Sequence, residues 1–131
     1  MAKILIADDD EILSALVRYK LEAAGHEVRL VADGEAALMD VVEVEPDLII
    51  LDSMMPGLTG PEVLSQLKLN PWFRHVPVIM LTARRGEQDV VEALRGGAAD
   101  YLTKPFIPEE LVVRVSSALA RRAGDAARRG A

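Results

Sequence analysis

The chain has 131 residues, half of them hydrophobic, with no cysteine and a formal net charge of −6. This length allows one hydrophobic core with two sides. The lack of cysteine excludes disulfides and zinc–thiolate sites. The excess of acidic residues argues against nucleic-acid binding but is compatible with cation binding. No segment approaches the roughly 20 consecutive apolar residues of a membrane span, and the N-terminus lacks a signal peptide, so we expect a cytoplasmic protein without membrane contact.

Two short apolar runs in the first half of the chain each end in carboxylates. Residues 3–7 run directly into Asp8 and Asp9, and residues 48–51 run into Asp52. Runs that are apolar at successive positions are typical of strands covered on both faces, as in a parallel sheet packed between helices. Between them, the sequence predicts a helix from Ile12 to a stop at Gly25, a strand from Glu27 to Val31 and a helix from Asp33-Gly34 to a stop at Pro46.

The second half of the chain begins with a helix signal. Thr59-Gly60-Pro61-Glu62 has the spacing of a capping box with a proline in the first turn, which predicts a helix through about Leu69. The aromatic pair Trp72-Phe73 is predicted to pack down over the end of this helix, because isolated aromatic side chains usually bury.

Two further strands and two further helices complete the chain. A strand from Pro77 ends in Thr82, and a strand from Ala99 leads to Lys104 and Pro105. A helix between these strands is predicted from Val90, Val91 and Leu94, with a stop at Gly96-Gly97, and a last helix opens at Pro108 with a buried stripe of Leu111, Val115, Ala118 and Leu119.

Five strands alternating with five helices predict an α/β domain with a parallel sheet. If the strand order is 2-1-3-4-5, doubly wound as in flavodoxin-like folds, then Asp8, Asp9, Asp52, Thr82 and Lys104 lie on one rim. Three carboxylates so close would repel one another unless they surround a cation, and oxygen ligands favour Mg²⁺ or Mn²⁺. A metal with a nearby lysine and threonine suits phosphoryl transfer, with Asp52 as the nucleophile.

Each of these residues, taken alone, has an ordinary structural interpretation. The acidic run that begins at Asp8 is also a favourable helix start, and Asp52 before Pro-Gly is also a turn residue. Thr82 is also a helix cap, and Lys104 is also a solvated surface charge. Their joint occurrence at the correct strand ends favours the site over these separate readings.

Four motifs resemble the receiver domain of bacterial two-component response regulators in their order and spacing. They are Asp8-Asp9, residues 51–60 around Asp52, Thr82-Ala83, and residues 100–106 around Lys104. The resemblance covers about residues 3–121 and implies a receiver domain over residues 1–122. Residues 123–131, which lack apolar periodicity, are then a frayed tail or a linker stub.

The resemblance also implies roles for single residues. Asp52 would accept a phosphoryl group from a histidine kinase or a phosphotransfer protein, contacted by Lys104 and hydrogen-bonded by Thr82. Tyr101 would be the aromatic residue that moves inward as Thr82 moves toward the phosphoryl group. Asp9, Asp52 and the backbone carbonyl of Met54 would ligate Mg²⁺, Asp8 would act mostly through a water, and Pro105 would follow a cis peptide bond.

Three functions follow from this reading. The leading one is a phosphorylation-dependent switch that catalyses only its own phosphorylation and dephosphorylation. Such a switch acts on a downstream protein target or an output domain. A phosphorylation-dependent dimer is a further expectation. A metal-dependent phosphatase would need a second carboxylate just after the nucleophile, where this chain has Ser53 and Met54. A scaffold that has lost phosphorylation is disfavoured because every acidic residue of the site is present. Met54 and Arg84, which cannot act as bases toward a water, predict a slowly hydrolysed phosphoryl group.

Overall fold

A computed structural model describes residues 1–83, 91, 92 and 94–130. Helices and strands alternate along this part of the chain. The strands are β1 (Lys3–Ala7), β2 (Glu27–Val31), β3 (Leu48–Asp52), β4 (Val78–Thr82) and β5 (Asp100–Thr103), and the helices are α1 (Glu11–Ala23), α2 (Gly34–Val44), α3 (Gly60–Leu69) and the C-terminal helix (Pro108–Gly130).

The five strands form one parallel sheet in the order β2-β1-β3-β4-β5, which confirms the predicted topology. Four of the five predicted helices lie within the described residues in full. The backbone at Val91, Glu92, Leu94 and Arg95 is helical, in agreement with the helix predicted there, whereas Val90 and Arg84 lie outside the described residues.

The sheet separates two hydrophobic cores, because successive side chains of a strand point to opposite faces. On β3, Ile49 and Leu51 belong to one core, with residues of α2 and α3 such as Val41 and Leu64. Leu48 and Ile50 belong to the other core, with residues of α1 and of the C-terminal helix, the latter including Leu111, Val115 and Ala118 of the predicted stripe. All five residues of β3 are buried, so the strand that carries Asp52 is the most enclosed part of the sheet together with β4.

The capping box predicted at the start of α3 is present. The Thr59 backbone N–H donates to Glu62 Oε1 at 3.0 Å, and the Glu62 backbone N–H donates to Thr59 Oγ1 at 3.3 Å. These bonds satisfy two N–H groups that a helix start otherwise leaves without a partner. They fix where α3 begins, eight residues after Asp52, the last residue of β3.

One expectation from the sequence is wrong, and another holds only in part. The C-terminal helix continues through residues 123–130, where we expected a frayed tail or a linker stub. The segment is helical and not frayed, because alanine and arginine are strong helix formers and no proline interrupts them, and its role as a linker stub stays a prediction. Trp72 is 85% exposed and does not pack down, whereas Phe73 contacts the core. The Trp72 N–H donates to Asn70 Oδ1 at 2.9 Å in a tight turn, and only one of the two adjacent aromatic residues faces inward there. The division of the chain at residue 122 stays a prediction.

Among the helices in the described part of the chain, none combines the length and the apolar character that crossing a bilayer requires.

Candidate functional site

The predicted site residues lie at the carboxyl ends of neighbouring strands. Asp8 follows β1, Asp52 is the last residue of β3, Thr82 is the last residue of β4, and Lys104 follows β5. These four strands are adjacent and parallel, so their ends meet along one edge of the sheet. The topology therefore brings together side chains that are up to 96 positions apart in the sequence.

Three carboxylates form the centre of this edge. Oxygen atoms of Asp8, Asp9 and Asp52 all lie within 4.8 Å of one another. Asp8 is 4% exposed and Asp52 is 5% exposed, whereas Asp9 faces solvent. This donor set fits a divalent cation that prefers oxygen ligands and keeps part of its water shell, since one carboxylate and the solvent side remain accessible.

Lys104 is the cation that the structure places in this cluster. Its Nζ lies 3.0 Å from Asp8 Oδ2 and 3.5 Å from Asp52 Oδ1. Its backbone N–H donates to the Thr82 carbonyl oxygen at 2.7 Å, and the Lys104–Pro105 peptide bond is cis. Burial alone would lower the pKa of Lys104, but the hydrogen bond and charge of Asp8, with a smaller effect of Asp52, raise it above its usual value. One ammonium group cannot balance three carboxylates.

The pKa of Asp52 is raised in these surroundings. Burial is the largest effect and raises its pKa, and the charge of Asp8 raises it further. Lys104 and the Met54 backbone N–H, which donates to Asp52 Oδ1 at 3.5 Å, act in the opposite direction. The resulting pKa is about 6, so the carboxylate is mostly ionised at neutral pH but is costly to ionise. Asp8 is better satisfied, because it also accepts the Asp10 backbone N–H at 2.9 Å.

Gly60 holds the loop that follows Asp52, a role that sequence reasoning missed. Its N–H donates to the Ser53 carbonyl oxygen at 3.2 Å. A Cβ atom at Gly60 would lie 2.4 Å from the Asp52 carbonyl oxygen and 2.9 Å from the Ser53 Cα, distances that no side chain can occupy. The start of α3 therefore presses on the backbone of the phosphoacceptor candidate. The sequence contained one indication of this role: Gly60 lies inside the capping box, at a position where a helix does not require glycine.

The remaining candidates lie around this centre. Thr82 is 8% exposed at the end of β4, next to β3. Tyr101 of β5 is half-buried, is in register with Met80, and packs against the core on the α3 side of the sheet. The Met54 side chain is 57% exposed, so it points away from the core. Arg84, which we predicted to flank the site, lies outside the described residues.

Comparisons with known proteins agree with this architecture. The sequence profile described as "Response regulator receiver domain" matches residues 4–116. The chain is 45% identical over 121 residues to the phosphate regulon transcriptional regulatory protein PhoB of Rhizobium meliloti, which covers 92% of this chain and 53% of that protein. It is also 45% identical over 119 residues to the alkaline phosphatase synthesis transcriptional regulatory protein PhoP of Bacillus subtilis, covering 91% and 49% of the two chains. The chain thus spans about half the length of these curated relatives.

A solved structure shows the same fold over nearly its whole length. The crystal structure of a putative response regulator from Chloroflexus aurantiacus superposes with a TM-score of 0.86 and is 38% identical, covering 91% of this chain and 98% of that one.

Proposed function

The chain belongs to the family of response regulator receiver domains of two-component systems, and we propose that phosphorylation of Asp52 is the event that switches it. The observation that carries the proposal is the position of the Asp52 carboxylate. It is buried at the rim, within 4.8 Å of oxygens of Asp8 and Asp9 and 3.5 Å from the Lys104 ammonium. A buried carboxylate that is costly to ionise is stabilised by a bound cation, and an aspartate carboxylate can accept a phosphoryl group to form an acyl phosphate.

Each residue of the site has a separate role in phosphoryl transfer. A carboxylate oxygen of Asp52 attacks the phosphorus atom of a phosphohistidine on a histidine kinase or a phosphotransfer protein, the phosphorus–nitrogen bond breaks, and the histidine leaves. Lys104 offsets charge on the phosphoryl oxygens, and the Thr82 hydroxyl donates a hydrogen bond to one of them. Mg²⁺, or Mn²⁺ in its place, would be held by Asp9, Asp52 and the Met54 carbonyl, and Asp8 would act through a water. When bound, the metal supplies positive charge to the transferring group.

Phosphorylation then changes the positions of the Thr82 and Tyr101 side chains. As the Thr82 hydroxyl moves toward the phosphoryl group, the Tyr101 ring moves into the space that opens on the α3 side. A new charge at Asp52 can bias such a two-state element only through interactions that differ between the two states, and the Thr82 hydrogen bond is one of them. The surface formed by β5, the helix before it and the C-terminal helix changes as a result.

The partners follow from the same proposal. A histidine kinase or phosphotransfer protein supplies the phosphoryl group, and a downstream protein target or an output domain reads the switch, as the regulatory names of PhoB and PhoP suggest. A phosphorylation-dependent dimer is a further form of output. The chain turns over no external substrate beyond its own phosphorylation and dephosphorylation, acts in the cytoplasm, and with its acidic balance does not itself bind nucleic acid.

Acetyl phosphate with Mg²⁺ tests the proposal without knowledge of the kinase. Intact-mass measurement should show one phosphoryl adduct on the parent chain, no adduct on Asp52→Asn, and no adduct on the parent when the metal is removed with a chelator. Asp47→Asn is the matched control, because Asp47 lies just before the same strand and should not affect labelling. Equal labelling of Asp52→Asn and the parent would contradict the assignment.

A further inference from the structure

The turn between β2 and α2 lies beside both of the loops that carry the proposed cation ligands. On one side, the Asp8 backbone N–H donates to the Val31 carbonyl oxygen at 3.1 Å, so the pairing of β1 with β2 continues into the acidic pair. On the other side, Gly34, the buried first residue of α2, packs against Leu58 in the β3–α3 loop, residues 53–59. The turn therefore connects the loop that follows β1 with the loop that follows β3.

The packing at Gly34 leaves no room for a side chain. A Cβ atom there would lie 2.7 Å from the Leu58 carbonyl oxygen, 2.8 Å from the Leu58 Cβ and 2.8 Å from the Val63 Cγ2. Helix formation does not explain the glycine, because alanine is the better helix former and because Asp33 already caps α2, with its Oδ1 accepting the Ala36 N–H at 2.8 Å. The close approach of α2 to the β3–α3 loop explains it.

The far end of the β3–α3 loop is fixed as well. The Gly60 N–H donates to the Ser53 carbonyl oxygen at 3.2 Å, and the capping box holds the start of α3. A displacement of Leu58 therefore has to be taken up within residues 53–57. This segment includes the Met54 carbonyl, one of the proposed cation ligands.

A methyl group added at Gly34 requires a movement that is large on the scale of a small cation. The contact at 2.7 Å would have to open to between 3.0 and 3.4 Å, which is a movement of about 0.3–0.7 Å. Mg²⁺ requires oxygen ligands at about 2.0–2.1 Å in near-octahedral geometry, whereas Ca²⁺ accepts about 2.3–2.6 Å in flexible geometry. If the loop gives way, the Met54 carbonyl moves, and if α2 gives way, the turn beside Asp8 moves. Either movement is as large as the difference between the two cations.

We propose that Gly34 is a positioning residue for the cation site, and that its contact with Leu58 sets the preference of the site for Mg²⁺ over the larger Ca²⁺. The inference rests on the proposed function, because Asp9, Asp52 and the Met54 carbonyl are the ligands that are positioned. Gly34 offers no side chain to the cation or to the phosphoryl group. It acts by letting two loops lie at the spacing that a small cation requires.

Cation titrations of the unphosphorylated protein, followed by the amide chemical shifts of residues 8, 9 and 54, test the inference. In Gly34→Ala we expect Mg²⁺ to bind about tenfold more weakly and the affinity for Ca²⁺ to change by less than about twofold. Leu58→Ala is a second variant in case Gly34→Ala does not fold. It removes packing between the loop and the core without adding an atom, and it should weaken Mg²⁺ binding about threefold with little change for Ca²⁺.

Two control variants separate positioning from stability and from helix propensity. Val41 lies in the same core, about two turns along α2 from Gly34, so Val41→Ala lowers stability away from the contact with Leu58. Gly124→Ala adds a methyl group that meets nothing within 4 Å. Both controls should keep the ratio of Mg²⁺ affinity to Ca²⁺ affinity that the parent shows.

Several results would overturn the inference. Unchanged Mg²⁺ affinity in Gly34→Ala, or an equal loss of affinity for both cations, would show that Gly34 has only a structural role. A change of the ratio in Val41→Ala as large as that in Gly34→Ala would assign the effect to stability, and a parent chain that binds no Mg²⁺ would leave nothing to position. The proposed function fails differently: a parent that binds Mg²⁺ but forms no adduct with acetyl phosphate would contradict the phosphorylation of Asp52 alone.

Discussion

The strand β3 has an aspartate at each end, and the two lie in opposite electrostatic surroundings. Asp47, just before the strand, accepts the Lys3 backbone N–H at 2.8 Å on Oδ2, and Arg122 lies 3.4 Å from its Oδ1. Arg122 also donates to the Asp47 carbonyl oxygen at 2.7 Å, and the Asp47 side chain is 44% exposed. Both carboxylate oxygens of Asp47 therefore face a partner.

The other end of the strand is unbalanced. Asp52 is buried beside Asp8, and Lys104 is the one cation that the described residues place between them. Two buried carboxylates with one ammonium group are costly to keep, and the cation and phosphoryl group that we propose for this end would offset that cost. The comparison teaches that charges are matched at one end of β3 and unmatched at the end that we propose to be reactive.

The largest expected effect concerns the stability of the metal-free protein. The folded pKa of Asp52 is about 6, above the ordinary value of 3.8, so ionisation costs more in the folded state than in the unfolded state. The penalty is absent below pH 4, grows as pH rises from about 4 to about 6, and is complete above that range. Asp52→Asn, which cannot ionise, should therefore raise the free energy of unfolding at pH 7.5 by about 2–3 kcal/mol over the parent.

Urea unfolding with a chelator present, at pH 4 and at pH 7.5, measures this difference. Asp47→Asn is the control at the other end of the strand and should lower the free energy of unfolding by about 1 kcal/mol at pH 7.5, because it loses the charge that faces Arg122. If the two variants shifted stability in the same direction, the contrast between the ends of β3 would be wrong.

The next effect concerns the loop that the reactive end needs. Gly60→Ala places a Cβ against the Asp52 carbonyl oxygen, so the start of α3 or the Asp52 backbone must move. We expect phosphorylation by acetyl phosphate to slow by about tenfold and unfolding free energy to fall by about 2 kcal/mol. Gly124→Ala, where an added Cβ meets nothing within 4 Å, is the matched control for both measurements. A Gly60→Ala protein labelled as fast as this control would show that the contact does not position Asp52.

Simple patterns in the sequence predicted the strands and the acidic residues at their ends, whereas the sheet order followed from the resemblance to receiver domains. Buried parallel strands are continuous apolar runs, and an aspartate at the end of such a run, like Asp52, has to lie at the edge of the sheet. Contacts between distant segments have no such pattern. The close approach of Gly60 to Asp52, and the turn that leaves Trp72 exposed, depend on loop geometry that composition and periodicity do not specify.

The smallest expected effect concerns how long the phosphoryl group persists. Hydrolysis needs a water in line behind the phosphorus, and the thioether of Met54, exposed two residues beyond Asp52, is a poor acceptor for that water. Met54→Asn supplies an amide oxygen and should shorten the lifetime of the phosphorylated state by about threefold, which is less than 1 kcal/mol in the barrier. The decay of the adduct, followed by intact mass after acetyl phosphate is removed, measures it. An unchanged lifetime would rule out an effect of this side chain.

The most direct test of the contrast between the two ends of β3 uses the unmodified sequence. After treatment with acetyl phosphate and Mg²⁺, borohydride reduces an aspartyl phosphate to homoserine, and peptide mapping by mass spectrometry then locates the reduced residue. Our account predicts homoserine at Asp52 and unmodified aspartate at Asp8, Asp9 and Asp47. Homoserine at Asp47, or at Asp8 or Asp9 with Asp52 unmodified, would contradict it.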